Sequence, residues 1–146
     1  MHMPKLLVFY YSSSGNTEKM ARAIAEGVNS NKNVEIQLTY NISVEKLSAF
    51  DAILVGTPTY HKQMAMAIRK LLEETSTKRI DLKGKIGSTF GSYGWSGEAP
   101  KLVLEILENR LEMRVIKPPI MAKYSPDQNA LNACKDLGNK VAKRLL

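Results

Sequence analysis

The chain alternates between two hydrophobic periods, and this limits its fold more than any other feature. Lys5 to Tyr11 holds a continuous apolar run, Leu6-Leu7-Val8-Phe9-Tyr10, as expected of a strand covered on both faces. From Thr17 to about Asn29 the period changes. Met20, Ala21, Ile24, Ala25 and Val28 fall three and four apart, which makes one apolar helix face. Val34, Ile36 and Leu38 alternate, predicting a strand with one wetter face. Ser43 offers an N-cap to a short helix. Ala52-Ile53-Leu54-Val55 is a second buried strand, stopped at Gly56-Thr57-Pro58 because proline cannot donate to a ladder. Met64, Ala67, Ile68, Leu71 and Leu72 mark another helix, Ile86 to Phe90 a weaker strand, and Leu102, Val103, Ile106 and Leu107 a third helix. Val115-Ile116 predicts a short strand closed by Pro118-Pro119. Ala130, Cys134, Leu137, Val141 and Leu145 form the face of a last helix, capped near Ser125-Pro126-Asp127. Five strands alternating with four clear helices and one weak one predict an α/β fold with a parallel, doubly wound sheet. No repeat or linker divides residues 1–146, which read as one domain.

Composition narrows the function. One cysteine, Cys134, excludes an internal disulfide, and the two histidines, His2 and His61, lie too far apart in sequence to suggest a metal-ligand motif. No apolar run approaches the roughly 20 residues of a membrane span. The opening Met1–Gly15 stretch runs from apolar residues straight into serines, without a cleavage pattern. The expectation is a cytoplasmic protein. Twenty-one Lys and Arg against 14 Asp and Glu leave +7, which favours acidic partners. The cations are scattered, and no aromatic pattern among them would stack bases; nucleic acid is not an expected partner.

In such a sheet, ligands bind outside the carboxyl ends of the strands. The loop after the first strand is Ser12-Ser13-Ser14-Gly15-Asn16-Thr17. Hydroxyls and a glycine before a helix N-terminus suit a phosphate held by dipoles; a serine-rich helix cap is the alternative. The sequence is neither a P-loop nor G-x-G-x-x-G. After the third strand comes Gly56-Thr57-Pro58-Thr59-Tyr60-His61, and after the fourth Phe90-Gly91-Ser92-Tyr93-Gly94-Trp95-Ser96-Gly97-Glu98. The last loop sets the only Trp and a Tyr among glycines. Ring stacking on a planar ligand and ordinary packing are both open to them. Together the loops describe a ligand with a phosphate, a polyhydroxyl linker and a flat ring, which is flavin mononucleotide (FMN).

Here the sequence resembles the flavodoxin family. Tyr11-Ser-Ser-Ser-Gly-Asn-Thr17 is similar to its phosphate loop, Thr57-Pro-Thr-Tyr60 to its first ring loop and Phe90-Gly-Ser-Tyr-Gly-Trp95 to its second. Gly91 to Glu98 especially resembles the flavodoxin-like domain of flavodiiron proteins. The resemblance implies a three-layer sandwich with a five-stranded parallel sheet of order 2-1-3-4-5. It implies that Ser12 to Thr17 bind phosphate and that Thr57 helps the ribityl chain. Pro58, Thr59 and Tyr60 would line one ring face, and Ser92 to Gly97 would wrap the pyrimidine. Trp95 is the expected stacking ring, with Tyr93 as the alternative.

Two departures shape the expected chemistry. Many flavodoxins carry a glycine in the first ring loop, where a peptide flips towards the one-electron-reduced flavin; Tyr60 is read here in that place, which makes the flip harder. Flavodoxins are usually acidic, whereas this chain is at +7, so reduction is expected to be easier. The resemblance implies an electron carrier, either a short-chain flavodoxin or a freestanding counterpart of the flavodiiron flavin domain. Its redox partners would dock through acidic surfaces, and it would be a monomer or weak dimer. The alternative is an FMN-dependent NAD(P)H:quinone-type oxidoreductase. A receiver-type signalling module lacks its acidic cluster here. His61 stands either as a proton donor near the flavin or as a surface side chain, Glu98 as a helix cap, and Cys134 as core.

Overall fold

In a computed structural model, which describes residues 3–146, the two hydrophobic periods become two kinds of element. His2, counted above, lies outside the described residues, as does Met1. The strands are β1 (Lys5–Tyr10), β2 (Glu35–Thr39), β3 (Ala52–Gly56), β4 (Thr59–Tyr60), β5 (Gln63–Met64), β6 (Ile86–Tyr93), β7 (Arg114–Val115) and β8 (Ile120–Lys123). The helices are α1 (Asn16–Asn29), α2 (Met66–Thr77), α3 (Glu98–Glu105) and α4 (Gln128–Leu145). A 3-10 segment at Val44–Ala49 is the weak helix, and a π turn at Ile106–Arg110 ends α3. Asp127 caps α4 as expected, its Oδ1 accepting from the Ala130 amide at 2.8 Å.

The main sheet runs β2-β1-β3-β6-β7, with β8 also beside β6. Its pairings are parallel. This is the predicted order 2-1-3-4-5, with two differences. Strand β6 continues past Phe90 to Tyr93, and the fifth strand is broken. Its first piece pairs with the start of β6, and its second, beyond Pro118-Pro119, pairs Ile120 to Lys123 with Phe90 to Tyr93. A small antiparallel hairpin, β4–β5, stands off the sheet.

Successive side chains of a strand point to opposite faces, and the buried runs divide accordingly. Leu6, Val8, Ala52 and Leu54 pack with Met20, Ile24, Cys134 and Val141 under α1 and α4. Leu7, Phe9, Ile53 and Val55 pack with Leu47, Ile68, Leu72 and Val103 under the 3-10 segment, α2 and α3. Polar residues buried in β6 are satisfied sideways: Ser88 Oγ donates to Ile116 O at 2.8 Å and Thr89 Oγ1 to Pro100 O at 2.7 Å. These bonds offset the desolvation that would otherwise exclude them from a central strand. Helices α1 and α4 touch backbone to backbone. A Cβ on Gly27 would lie 1.9 Å from Lys135 O, and one on Gly138 2.1 Å from Ile24 O. No helix among the described residues is long and apolar enough to cross a membrane.

Candidate functional site

Parallel strands bring the segments after β1, β3 and β6 to one edge. The first leads into α1. Gly15 has φ +90, a conformation open to glycine and strained for other residues. Ser12 Oγ accepts from the amides of Gly15 at 3.1 Å and Glu18 at 3.2 Å, so this serine closes the turn itself. Among the described residues the amides of Ser14, Asn16 and Thr17 have no acceptor. Ser13 and Ser14 are exposed. Free donors at the positive end of a helix dipole make a seat for an anion without a cationic side chain.

Buried hydroxyls tie the segments together. Thr17 Oγ1 lies 3.1 Å from Ser92 Oγ. Thr57 is fully buried, its Oγ1 donating to Pro58 O at 2.8 Å and accepting from the Ala65 amide at 3.0 Å. Thr59 Oγ1 accepts from the Ala99 amide at 3.1 Å, satisfying the start of α3. The Ser13 hydroxyl and the Tyr60 phenol hydrogen-bond across the gap. The backbones of β6 and of the segment after β3 touch: a Cβ on Gly91 would fall 1.8 Å from Thr57 O.

Two adjoining clefts follow. One, of about 310 Å³, is bounded by Ser13, Ser14, Asn16 and Pro58 on one side and by Ser92, Tyr93 and Tyr124 on the other. The second, of about 640 Å³, runs between His61-Lys62 and Trp95-Ser96. Thr59, Tyr60 and Gly94 border both, so the surface is continuous from the α1 N-terminus to Trp95. Trp95 is 93% exposed. An indole left so exposed sacrifices its burial energy unless a ligand or partner covers it. A cleft of similar volume, about 650 Å³, lies against β2 and the 3-10 segment, with Ser43 of that segment's start and no glycine in its lining.

The structure thus brings all three predicted loops together. Ser12, Gly15, Thr17, Thr57 and Gly97 support the clefts without lining them, and the others line them. The left-handed backbone that the sequence reading placed at Tyr60 falls instead on the next two residues, His61 (φ +50) and Lys62 (φ +66). These form the tip of the β4–β5 hairpin, where Tyr60 pairs with Gln63. Tyr124 lines the smaller cleft and escaped the sequence reading. It follows β8, with its amide donating to Tyr93 O at 2.6 Å; an exposed aromatic at a strand's carboxyl end was the available signal. Glu98 opens α3. The Ser96 hydroxyl holds its carboxyl below the usual range, and the charges of Lys62 and Lys101 act in the same direction. Its Oε2 is shielded from solvent and hydrogen-bonded to nothing among the described residues.

Comparison with known proteins agrees with this geometry. The flavodoxin family model matches residues 8–138. The chain belongs to the flavodoxin family. Membership of this family carries FMN binding. An archaeal flavodoxin structure superposes with a TM-score of 0.87 at 39% identity, covering 97% of this chain and 98% of that one. Rubredoxin oxygen:oxidoreductase from Desulfovibrio gigas superposes with a TM-score of 0.79 at 27% identity, over 97% of this chain and 36% of that one. The type A flavoprotein fprA of Rhodobacter capsulatus is 33% identical across 96% of this chain. The chain spans 33% of that relative's length, so it matches one part of a longer protein.

Proposed function

We propose that the paired clefts hold FMN along their length, with the phosphate at the α1 N-terminus and the ring between the hairpin and Trp95. The observation that carries this reading is the continuity of the two clefts, from unpaired helix-terminal amides at one end to an exposed indole at the other. The residues fit the group. Ser13, Ser14 and Asn16 supply neutral donors beside the amides of the turn. Ser12 and Thr17 hold that turn in shape, and Thr57 acts through the Ala65 amide to fix the chain leaving β3. Pro58, Thr59 and Tyr60 form one wall of the ring site, and Ser92, Tyr93, Gly94, Trp95 and Ser96 the other, with Gly97 behind it. Bound FMN supplies reversible electron storage. The protein's part is to bind, orient and set the charge around it.

The chain works as a single FMN-binding unit, the counterpart of the flavin part of the flavodiiron relatives. We read it as delivering electrons to a redox centre on another protein or another domain. The partner surface it suits is acidic. The chain carries +7, and Lys62 borders the ring end, where opposite charge speeds encounter.

The test is a titration of flavin-free protein with FMN, followed by emission of Trp95, the only tryptophan. Saturable quenching at one FMN per chain is expected, with riboflavin, which lacks the phosphate, binding at least tenfold more weakly. Unquenched emission and free elution of FMN would overturn the reading.

A further inference from the structure

We propose that Lys62 sets the balance between the two redox forms of the bound cofactor: its ammonium, beside the ring end of the cleft, favours the anionic two-electron-reduced flavin over the oxidised one. This rests on the clefts being the FMN site. Among the described residues no aspartate or glutamate lines either cleft; the ionisable side chains there, tyrosines aside, are His61 and Lys62. Lys62 makes no ion pair among the described residues that would cancel its charge. The nearby acid, Glu98, is not among the residues lining either cleft; it stands at the start of α3 with a shielded Oε2 and the Ser96 hydroxyl as its partner. The field of Lys62 reaches that helix start, since its charge contributes to holding the Glu98 carboxyl low.

The hairpin fixes the backbone from which Lys62 reaches the cleft. His61 and Lys62 are both left-handed, at φ +50 and +66. A two-residue hairpin turn of that kind is most easily made by Asn-Gly or Asp-Gly. A lysine there carries a conformational cost of about 1 kcal/mol. The turn also places Lys62 on the same cleft as Trp95 and Ser96. Oxidised flavin takes up two electrons and one proton to become a monoanion, so one net negative charge appears on the ring. A cation at the partly solvated mouth stabilises that charge and leaves the neutral oxidised ring nearly indifferent.

The experiment compares the wild-type protein with Lys62→Asn and Lys62→Arg. Asparagine removes the charge and tolerates left-handed backbone; arginine keeps the charge. Affinity for oxidised FMN is read from Trp95 emission, and the two-electron midpoint from an anaerobic dithionite titration with mediator dyes. We expect Lys62→Asn to bind oxidised FMN within twofold of wild type while losing about tenfold in preference for reduced FMN. That is a fall of about 30 mV in a two-electron couple. Lys62→Arg should keep the wild-type midpoint. An unmoved midpoint in Lys62→Asn, with oxidised binding intact, overturns the role of Lys62 and leaves the FMN reading standing. An equal fall in Lys62→Arg assigns the effect to the turn and overturns it as well. Failure of the wild-type protein to bind FMN overturns the reading beneath it.

Discussion

Thr17 Oγ1 and Ser92 Oγ lie 3.1 Å apart, joining the first turn of α1 to the end of β6 across 75 residues of sequence. Both residues are buried, and the Ser92 amide also reaches Thr17 Oγ1 at 3.4 Å. The anion seat and the ring wall are therefore one rigid unit.

Replacing Thr17 with valine keeps the shape and deletes this contact. The buried Ser92 hydroxyl then loses its partner, which costs about 1–3 kcal/mol. Urea unfolding of Thr17→Val should show an unfolding free energy lowered by that amount, as a lower midpoint at unchanged slope, and FMN affinity should fall with it. Unchanged stability would mean that the two segments are held together by other contacts.

Gly91→Ala is expected to be more disruptive. Its Cβ would meet the Thr57 carbonyl at 1.8 Å, an atom of the backbone that no rotamer change can move. Forced overpacking of this kind costs typically 1–3 kcal/mol and displaces main chain. The displaced segment is the one carrying Pro58 to Tyr60, so a weakened FMN titration should accompany the lower unfolding midpoint.

Acid should act on the surface through Glu45. Its carboxylate lies 2.8 Å from the Lys78 ammonium and accepts from the Ser43 hydroxyl. The Lys78 contact is the larger cause of a pKa lowered to about 2. A carboxyl depressed in the folded state adds stability above its unfolded pKa and loses it as pH falls. The window runs from the ordinary value near 4.5 down to about 2. Glu45→Gln should flatten the acid dependence of the urea midpoint in that window. The effect should be small because the pair is exposed.

Alkali should act on the core through Cys134. Burial alone pushes its thiol up to about 12 from 9.0. An acid whose folded pKa is raised is neutral in the fold while its unfolded counterpart ionises. Stability from this group is therefore full below pH 9 and declines as pH rises towards 12. Iodoacetamide at pH 8 should leave the native thiol unmodified and label it in urea. Labelling of the native protein at the unfolded rate would contradict the burial.

Most of the sheet could be read from the sequence because hydrophobic period reports directly on burial. The runs Leu6–Tyr10 and Ala52–Val55 are buried on both faces, and alternation with helices predicts a parallel sheet, whose order 2-1-3-4-5 is what the family resemblance implies. What escaped was structure held by partners distant in sequence. Residues 91–93 of β6 are small or polar and look like loop; Ile120 to Lys123 pair with this strand and make it continue. Pro118-Pro119 punctuate the fifth strand, so its second half looked like connection. The β4–β5 hairpin has no glycine at its tip, and its left-handed pair, His61 and Lys62, carries no local mark. For the site, the loops were legible in composition. Their division of labour was not: whether a hydroxyl faces the cleft or a neighbouring amide depends on folded geometry, as Thr57 shows.

The glycine contact between α1 and α4 has a bearing on synthesis. Helix α1, whose first turn offers the anion seat, rests its Gly27 and Ile24 backbone on residues Lys135 and Gly138, more than a hundred positions later in the chain. On a ribosome, α1 emerges early and waits with an uncovered face until α4 has left the exit tunnel. The helix that offers the anion seat is thus backed by its partner only after all of α4 has been translated.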